Sequence, residues 1–318
     1  MKKTAVYSAL FIVLSFLYVI LFTSFLVADY KTYIYSVILS AATVFIIYKF
    51  VYLRSIYNLV YGLYLDRHLI FSLAKNDFKT KYAGSYFGII WAFIQPIMTI
   101  LVFWFVFQVG LKSEPVKNVP FVLWLTSGLI PWFFFSDAWN NATNCFIEYG
   151  YLVKKVAFKV SMLPMIKVIS SFFVHIIFVM FMAIIFVLFD FFPGWIFIQL
   201  AYYSFAMFVL VTALSFITSS IIIFFKDLSQ IISIILQFGM WLTPIMWSID
   251  IMPEEYIWIF KMNPMYYIVT GYRDTMINKA WFFLNIKQTF YFWLVTVILF
   301  LIGAVIFKKT RPHFADVL

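Results

Sequence analysis

Charge is scarce in this chain: 11% of its 318 residues are Asp, Glu, Lys or Arg, while 65% are hydrophobic. A soluble domain carries about a quarter charged residues, so water is excluded as the main solvent and lipid is left. Cysteine is scarcer still. Cys145 stands alone, which excludes an intrachain disulfide and a cysteine-based metal site; it reads as a small buried apolar group. No glycine is followed by lysine, so the phosphate-cradling G-x-x-x-x-G-K loop is missing. The H-E-x-x-H pattern is missing too, and His68, His175 and His313 do not assemble with acidic residues into a catalytic grouping. Strand-like alternation is lacking, which argues against a β-barrel.

What is present is long apolar runs. A membrane-crossing helix needs roughly 20 mostly apolar residues. Uncharged stretches cover Thr4–Ala28, Thr32–Tyr48, Tyr82–Leu111, Asn118–Ser136, Val168–Phe189, Phe191–Phe225, Leu228–Ile249 and Gln288–Phe307. They predict eight spans, of which the one ending at Tyr48 is the shortest. The first run follows Lys2 and Lys3 but is too long for an ordinary signal peptide and lacks a small-x-small cleavage site, so it reads as a retained span. With both termini cytoplasmic, alternating spans place sixteen Lys and Arg inside and seven outside, in accord with the positive-inside rule. The net charge of +10 is then a topology signal, and no interleaved basic and aromatic module points to nucleic acid.

Two stretches are too polar to span. Residues 54–81 mix apolar residues with Arg67, His68, Lys75, Asp77, Lys79 and Lys81. Leu69, Leu73 and Asn76 recur three or four apart beside Phe71 and Phe78, which predicts an amphipathic helix in the membrane interface; a helix packed on neighbouring spans fits the same pattern. Asp250–Lys287, on the outer side, is rich in aromatics and broken by Pro253 and Pro264, which favours re-entrant or interfacial helices. Asp137 is the one acidic residue well inside a span, near Asn140, Asn141 and Asn144. A polar pore mouth, pairing with a neighbouring helix and protonation remain open for it.

The stretch Lys79-Thr-Lys-Tyr-Ala-Gly-Ser-Tyr-Phe-Gly-Ile-Ile-Trp91, followed by Pro96, resembles the entry to the first core helix of ABC-2 type permeases, closest to exporters of O-antigen, capsule and teichoic acid. Gly84 and Gly88, four apart, are expected to line one helix face and permit close helix contact, and Pro96 to kink the span. Four further segments resemble the family in the same order. They are Ser127-Gly-Leu-Ile-Pro-Trp132; Tyr151-Leu-Val-Lys-Lys-Val-Ala-Phe158 with Leu163-Pro164; Lys226-Asp-Leu228 with Thr243-Pro-Ile245; and Asn263-Pro-Met265 with Tyr272-Arg273 and the terminal Phe314-Ala-Asp-Val-Leu318. Family members often carry Phe-Pro where Phe158 is here followed by Lys159.

The resemblance implies an all-α integral membrane protein of the bacterial cytoplasmic membrane. Its parts would be a cytoplasmic interfacial helix region (54–81) and a six-span core with outer re-entrant helices (82–318); the N-terminal two-span hairpin (1–53), read from the charge-free runs, has no counterpart in the family's usual core. It implies a permease that moves a polysaccharide carried on a polyprenyl diphosphate, with no catalytic residue, metal or cofactor of its own. The expected partners are a second copy of the chain, two ATP-binding cassette subunits holding ATP and Mg, membrane lipids and the lipid-linked glycan. Tyr151, Leu152, Lys154, Lys155 and Phe158 would couple to the ATPase subunit. Arg67, Lys75, Lys79 and Lys81 would meet the diphosphate, though attraction to anionic headgroups, about 1 kcal/mol per basic residue, is the competing reading. Trp91, Phe103, Trp104, Phe107, Trp132, Asp137 and Trp139 would line the pore. The main alternative is a membrane glycosyltransferase or polymer ligase on the same carrier, recruiting Asp250, Glu254, Glu255, Arg273 and Asp274. An ATP-independent flippase is a third option, disfavoured because internal repeats and a charged central cavity are not evident.

Overall fold

The computed structural model describes residues 61–81, 83–112, 119–153 and 159–317. The N-terminal hairpin expected over 1–53 lies outside them. Among the described residues the architecture is helical, and five segments are long and apolar enough to cross a membrane.

Helix α1 (Arg67–Lys81) comes first, then α2 (Trp91–Trp104), which a 3-10 turn precedes and a π-helical stretch to Gly110 extends. Gly84 and Gly88 sit before α2 with φ of 87° and 52°, and neither has a neighbour within reach of an added Cβ. They shape a left-handed turn that other residues adopt at a cost, instead of a helix-contact face. Pro96 lies inside α2 without ending it.

Helix α3 (Phe121–Glu148) extends twelve residues past the charge-free run that ends at Ser136, carrying Asp137 and the three asparagines inside the helix. After a short α4 (Gly150–Val153), α5 (Met162–Leu188) and α6 (Gln199–Ile222) cross back and forth. Helix α7 (Leu228–Leu242) has 15 residues, about 22 Å at 1.5 Å per residue, and falls short of a full apolar crossing. The run continues chemically to Ile249, but Thr243 is extended ahead of Pro244, because a residue before proline is pushed out of the helical region. Among the described residues, the expected six-span core shows five long spans and one shorter apolar helix.

The aromatic stretch after Asp250 forms the two short helices that its prolines predict. Pro253 precedes α8 (Glu254–Met262) and Pro264 opens α9 (Pro264–Arg273). Asn263 caps α9, its side-chain oxygen accepting from the Met265 N–H at 3.0 Å. Helix α8 buries no residue, while α9 buries Met265 through Val269 and Gly271 to Arg273. The last span is α10 (Ile286–Thr310), followed by α11 (Phe314–Val317), whose Phe314 packs on Phe146 at 5.0 Å between ring centres.

Helix α3 packs against α2, α5, α6, α7 and α9, and α10 lies along α6. Hydroxyls in the buried spans return to the preceding turn, as Thr126 does to the Val122 carbonyl and Ser215 to that of Val211. Thr143 and Thr218 join α3 to α6 at 2.7 Å. Such bonds hold helices together where lipid gives no hydrophobic drive for association. Cys145 is fully buried.

Candidate functional site

Helix α1 seats itself by a stripe one residue away from the one its leucines suggest. Leu69 is 49% exposed, whereas Ile70, Ala74 and Asp77 are buried against α5. A buried aspartate needs a partner. Lys167, on the first turns of α5, supplies it at 2.8 Å and also reaches Glu148 at 2.6 Å. Tyr149 donates its hydroxyl to Asp77, and the Lys167 ammonium lies 4.8 Å from the centre of the Tyr149 ring. Burial, with the Asp77 hydrogen bond adding to it, pushes the Tyr149 hydroxyl above its ordinary range and keeps it a donor.

One turn further along α1, Lys81 reaches Asp137 of α3 at 2.9 Å, and the other Asp137 oxygen accepts from Ser171 of α5 at 2.6 Å. This pair lies in a polar cleft of about 550 Å³ between α2, α3, α5 and α7. Gln95 and Thr99 of α2, Ser136 and Asn140 of α3, His175 of α5 and Ser233 of α7 supply its remaining polar wall beside apolar residues such as Phe133 and Phe178, and Trp91 stands at its edge, 45% exposed. Asp137, Asn140 and Asn144 fall on one face of α3 by their spacing, so the cleft continues a polar stripe along the helix.

Of the residues expected in the pore, Trp91 and Asp137 line this cleft. Phe103, Trp104 and Phe107 are half-buried against the core, with Phe107 stacked on Phe121 at 5.6 Å. Trp132 is buried with its ring against Gly239 of α7, where an added Cβ would come within 3.1 Å. Trp139 is buried beside Phe135. Of the basic set, Lys81 is in the cleft, while Arg67, Lys75 and Lys79 are exposed on α1, Arg67 lying 4.6 Å over the Tyr64 ring. Tyr151 is 61% exposed and Leu152 packs partly into the cluster around Phe146; Lys154, Lys155 and Phe158 lie outside the described residues.

At the opposite end of α3, distant segments meet on one guanidinium. Arg273 is buried, lies flat over Trp124 at 3.6 Å, and donates to the carbonyls of Pro244 and, at 2.6 Å, Ile245. Gly128 makes room for it, since an added Cβ would lie 3.0 Å from Nη2 and 3.3 Å from the Ile245 oxygen. Asn263, besides capping α9, donates to Thr243 at 2.8 Å. Ser127-Gly128, Thr243-Pro-Ile245, Asn263-Pro-Met265 and Tyr272-Arg273 thus form a single lock among α3, α7 and α9. Tyr272 extends it inward to Ser204 and His175, at 2.6 and 3.0 Å. The glycosyltransferase reading would recruit Arg273, but its Nη atoms already serve backbone carbonyls in the core.

The Asp77–Lys167–Glu148 cluster and the Arg273 lock were not anticipated from the sequence. The first carried a usable signal: Asp66, Ile70, Ala74, Asp77 and Lys81 recur at helical spacing and place two carboxylates on a helix's packing face. The second carried none beyond the motifs themselves, since its partners are backbone carbonyls.

Residues 68–277 match the family model described as ABC-2 type transporter. Two relatives from Klebsiella pneumoniae, each named O-antigen export system permease protein RfbA, are similar to this chain. One is 26% identical over 270 residues, covering 84% of this chain and 99% of the relative, and the other 25% identical over 252 residues, covering 79% and 95%. A protein of the same name from Myxococcus xanthus is 25% identical over 261 residues, covering 81% of this chain and 98% of its own. The family match begins at the second residue of α1, takes in the cleft-lining residues and ends four residues beyond Arg273. The several apolar spans make this a multi-pass membrane protein, and the chain belongs to the ABC-2 type transporter family.

Proposed function

We propose that this chain is the permease subunit of an ABC exporter that carries a polyprenyl-diphosphate-linked polysaccharide, of the O-antigen or teichoic acid kind, across a bacterial cytoplasmic membrane. Two copies work with two ATP-binding cassette subunits, which hold ATP and Mg, and both termini of the permease are cytoplasmic. The observation that carries the reading is the polar cleft bounded by α2. The span Gly88–Gly110 is mostly apolar and largely uncovered, yet its Gln95 and Thr99 line the cleft with Lys81 and Asp137. Polar walls on an apolar, open span suit a path that a second copy completes. Lys81 offers a cation to a diphosphate, and Trp91 offers an apolar face to sugar C–H groups. Relatives named for O-antigen export, aligned over nearly their whole length, supply the substrate class.

The basic segment after Tyr151 is the contact with the ATPase, which accounts for the exposure of Tyr151 in an otherwise packed end of the bundle. Coexpressed with its ATPase, the chain is expected to copurify with it, and proteoliposomes holding both should move a lipid-linked glycan only with ATP. A chain that purifies alone and moves substrate without ATP overturns the reading. Lys154→Glu with Lys155→Glu should abolish transport while membrane insertion is kept; wild-type transport by that variant removes the segment from the mechanism.

A further inference from the structure

Helix α5 borders two cavities of opposite character. Ser171, Val174 and Phe178 line the polar cleft, while Ile169, Phe173, Ile176 and Met180 fall on the opposite face of the helix by their spacing and wall a second cavity. This one is an apolar groove of about 1220 Å³, bounded across from α5 by α6 and by the 3-10 turn Gly194–Ile198. Among the described residues that line it, only His175 and Ser204 carry an imidazole or a hydroxyl. They bond to each other at 3.1 Å and to Tyr272 at 3.0 and 2.6 Å. The walls therefore suit hydrocarbon and give a sugar chain few partners.

At the α1 end of the groove, Phe71 joins the wall with its ring edge-on to Phe173 at 5.4 Å. Arg67 and Lys75 stand one turn to either side of Phe71 on the same face of α1, and both are exposed. On the packing face, charges are met within the protein: Asp66 by Lys159, Asp77 by Lys167 and Lys81 by Asp137. Among the described residues no carboxylate pairs with Arg67 or Lys75; Arg67 donates to the Tyr64 carbonyl at 3.1 Å. Two uncompensated cations thus flank the mouth of a hydrocarbon slot, and what complements both is an anion that carries an apolar chain. They are eight residues apart, about 12 Å along the helix, a gap that two long basic side chains can close on one phosphate.

We propose that this groove binds an anionic phospholipid, with an acyl chain lying between α5 and α6 and the phosphate held by Arg67 and Lys75. Attraction of a basic surface to an anionic leaflet is diffuse. A chain-shaped slot beside the cations adds a second signal, and two signals together give a lipid a fixed place. The lipid is a resident of the fold and not cargo, because the groove lies on the face of α5 opposite the cleft. Arg67 and Lys75 are thereby assigned to a headgroup, and Lys81 in the cleft is left for a diphosphate. The site stands whether or not the chain is an exporter.

The test uses the full chain in detergent micelles, with bound lipid counted by native mass spectrometry at equal phosphatidylglycerol and phosphatidylcholine. The parent is expected to hold phosphatidylglycerol about tenfold more tightly than phosphatidylcholine. Arg67→Gln with Lys75→Gln should cut that preference to about twofold or less. Lys226→Gln with Lys261→Gln removes the same charge from exposed sites elsewhere and should keep it. Ile176→Trp fills the groove and should weaken both lipids by about fivefold. A parent that shows no preference overturns the site, as does a preference that outlasts the Arg67 and Lys75 substitutions. Equal loss in the two double variants reduces the effect to general charge attraction and overturns it too. Parental binding by Ile176→Trp places the lipid outside the groove, and a parent that takes neither lipid has the groove covered by protein; either result ends the proposal. Should Ile176→Trp fail to fold, the two double variants, which change exposed side chains, still decide. Excess polyprenyl diphosphate should leave the bound phosphatidylglycerol in place; its displacement would assign the groove to the carrier and overturn the resident lipid.

Discussion

Two spans of this protein invert the rule that holds in water. Over an apolar stretch of 18 residues, Phe121–Glu148 is the less apolar of the pair, with a mean hydropathy of 1.3, and 78% of those residues are buried; the matching stretch of Gly88–Gly110, at 2.2, has 11% buried. In a soluble protein the more apolar helix goes inside. Lipid tails are as apolar as leucine, so burial brings little transfer gain, and helices meet through close packing and polar contacts. Helix α3 accordingly gathers what lipid cannot satisfy: Thr126, Ser127, Asp137, Thr143 and the Gly128 approach to Arg273. Helix α2 keeps Met98, Leu101 and Val102 outward, as the π-helical stretch after it does Phe105.

The strongest test of that contrast overfills α3. Gly128→Leu drives a side chain into the space of Arg273 and the Ile245 carbonyl, and should cost about 3 kcal/mol or more, seen as lost monodisperse protein on heating in detergent. A mild effect would mean that the lock can spread. Arg273→Met should follow, at about 2–3 kcal/mol, because it strands two buried carbonyls and removes the stack on Trp124. Arg273→Lys should rescue little of this, since a point charge cannot serve two carbonyls while lying flat on an indole.

Asp137→Asn sharpens the comparison on function. Its pair with Lys81 is partly exposed, so thermal stability should fall by about 1 kcal/mol or less. ATP-dependent transport should fall far more, because the substitution removes the one acidic group that lines the cleft among the described residues. Equal loss of both would make the pair a structural tie.

The physics explains which parts were legible beforehand. Spans came through because lipid demands uncharged length: the run at Gln288–Phe307 falls within α10, and that at Val168–Phe189 passes the end of α5 by one residue. The charge-free run ending at Ser136 understates α3, but Asp137 reads as lying inside a span, and the helix does continue through it, with Asp137 paired to Lys81. The Gly84 and Gly88 spacing suggested helix packing, but spacing does not reveal φ. Leu69 and Leu73 marked an apolar face of α1 without showing which residues pack on α5: Leu69 is exposed and Leu73 half-buried, while Ile70, Ala74 and Asp77 are buried, since amphipathicity in a membrane protein marks lipid as readily as core. Asp137 was legible as a candidate because an acid within a long apolar run is costly. Lys167 was not, because standing at the edge of its run it looked like one more positive-inside residue.

The smallest expected effect probes what covers α2. Leu101 is 48% exposed, and in lipid or dilute detergent both the folded chain and the inserted but unpacked chain leave it against hydrocarbon. Leu101→Ala should therefore change the stability of the isolated chain by less than about 0.5 kcal/mol. In the proposed dimer this face has a protein neighbour, and truncation then weakens association. The cost should appear as a thermal midpoint that rises less steeply with protein concentration than the parent's, because a partner that binds only the folded state stabilises by mass action. A concentration-independent loss of more than about 1 kcal/mol would put Leu101 in the core of a single chain and end the contrast between the two spans.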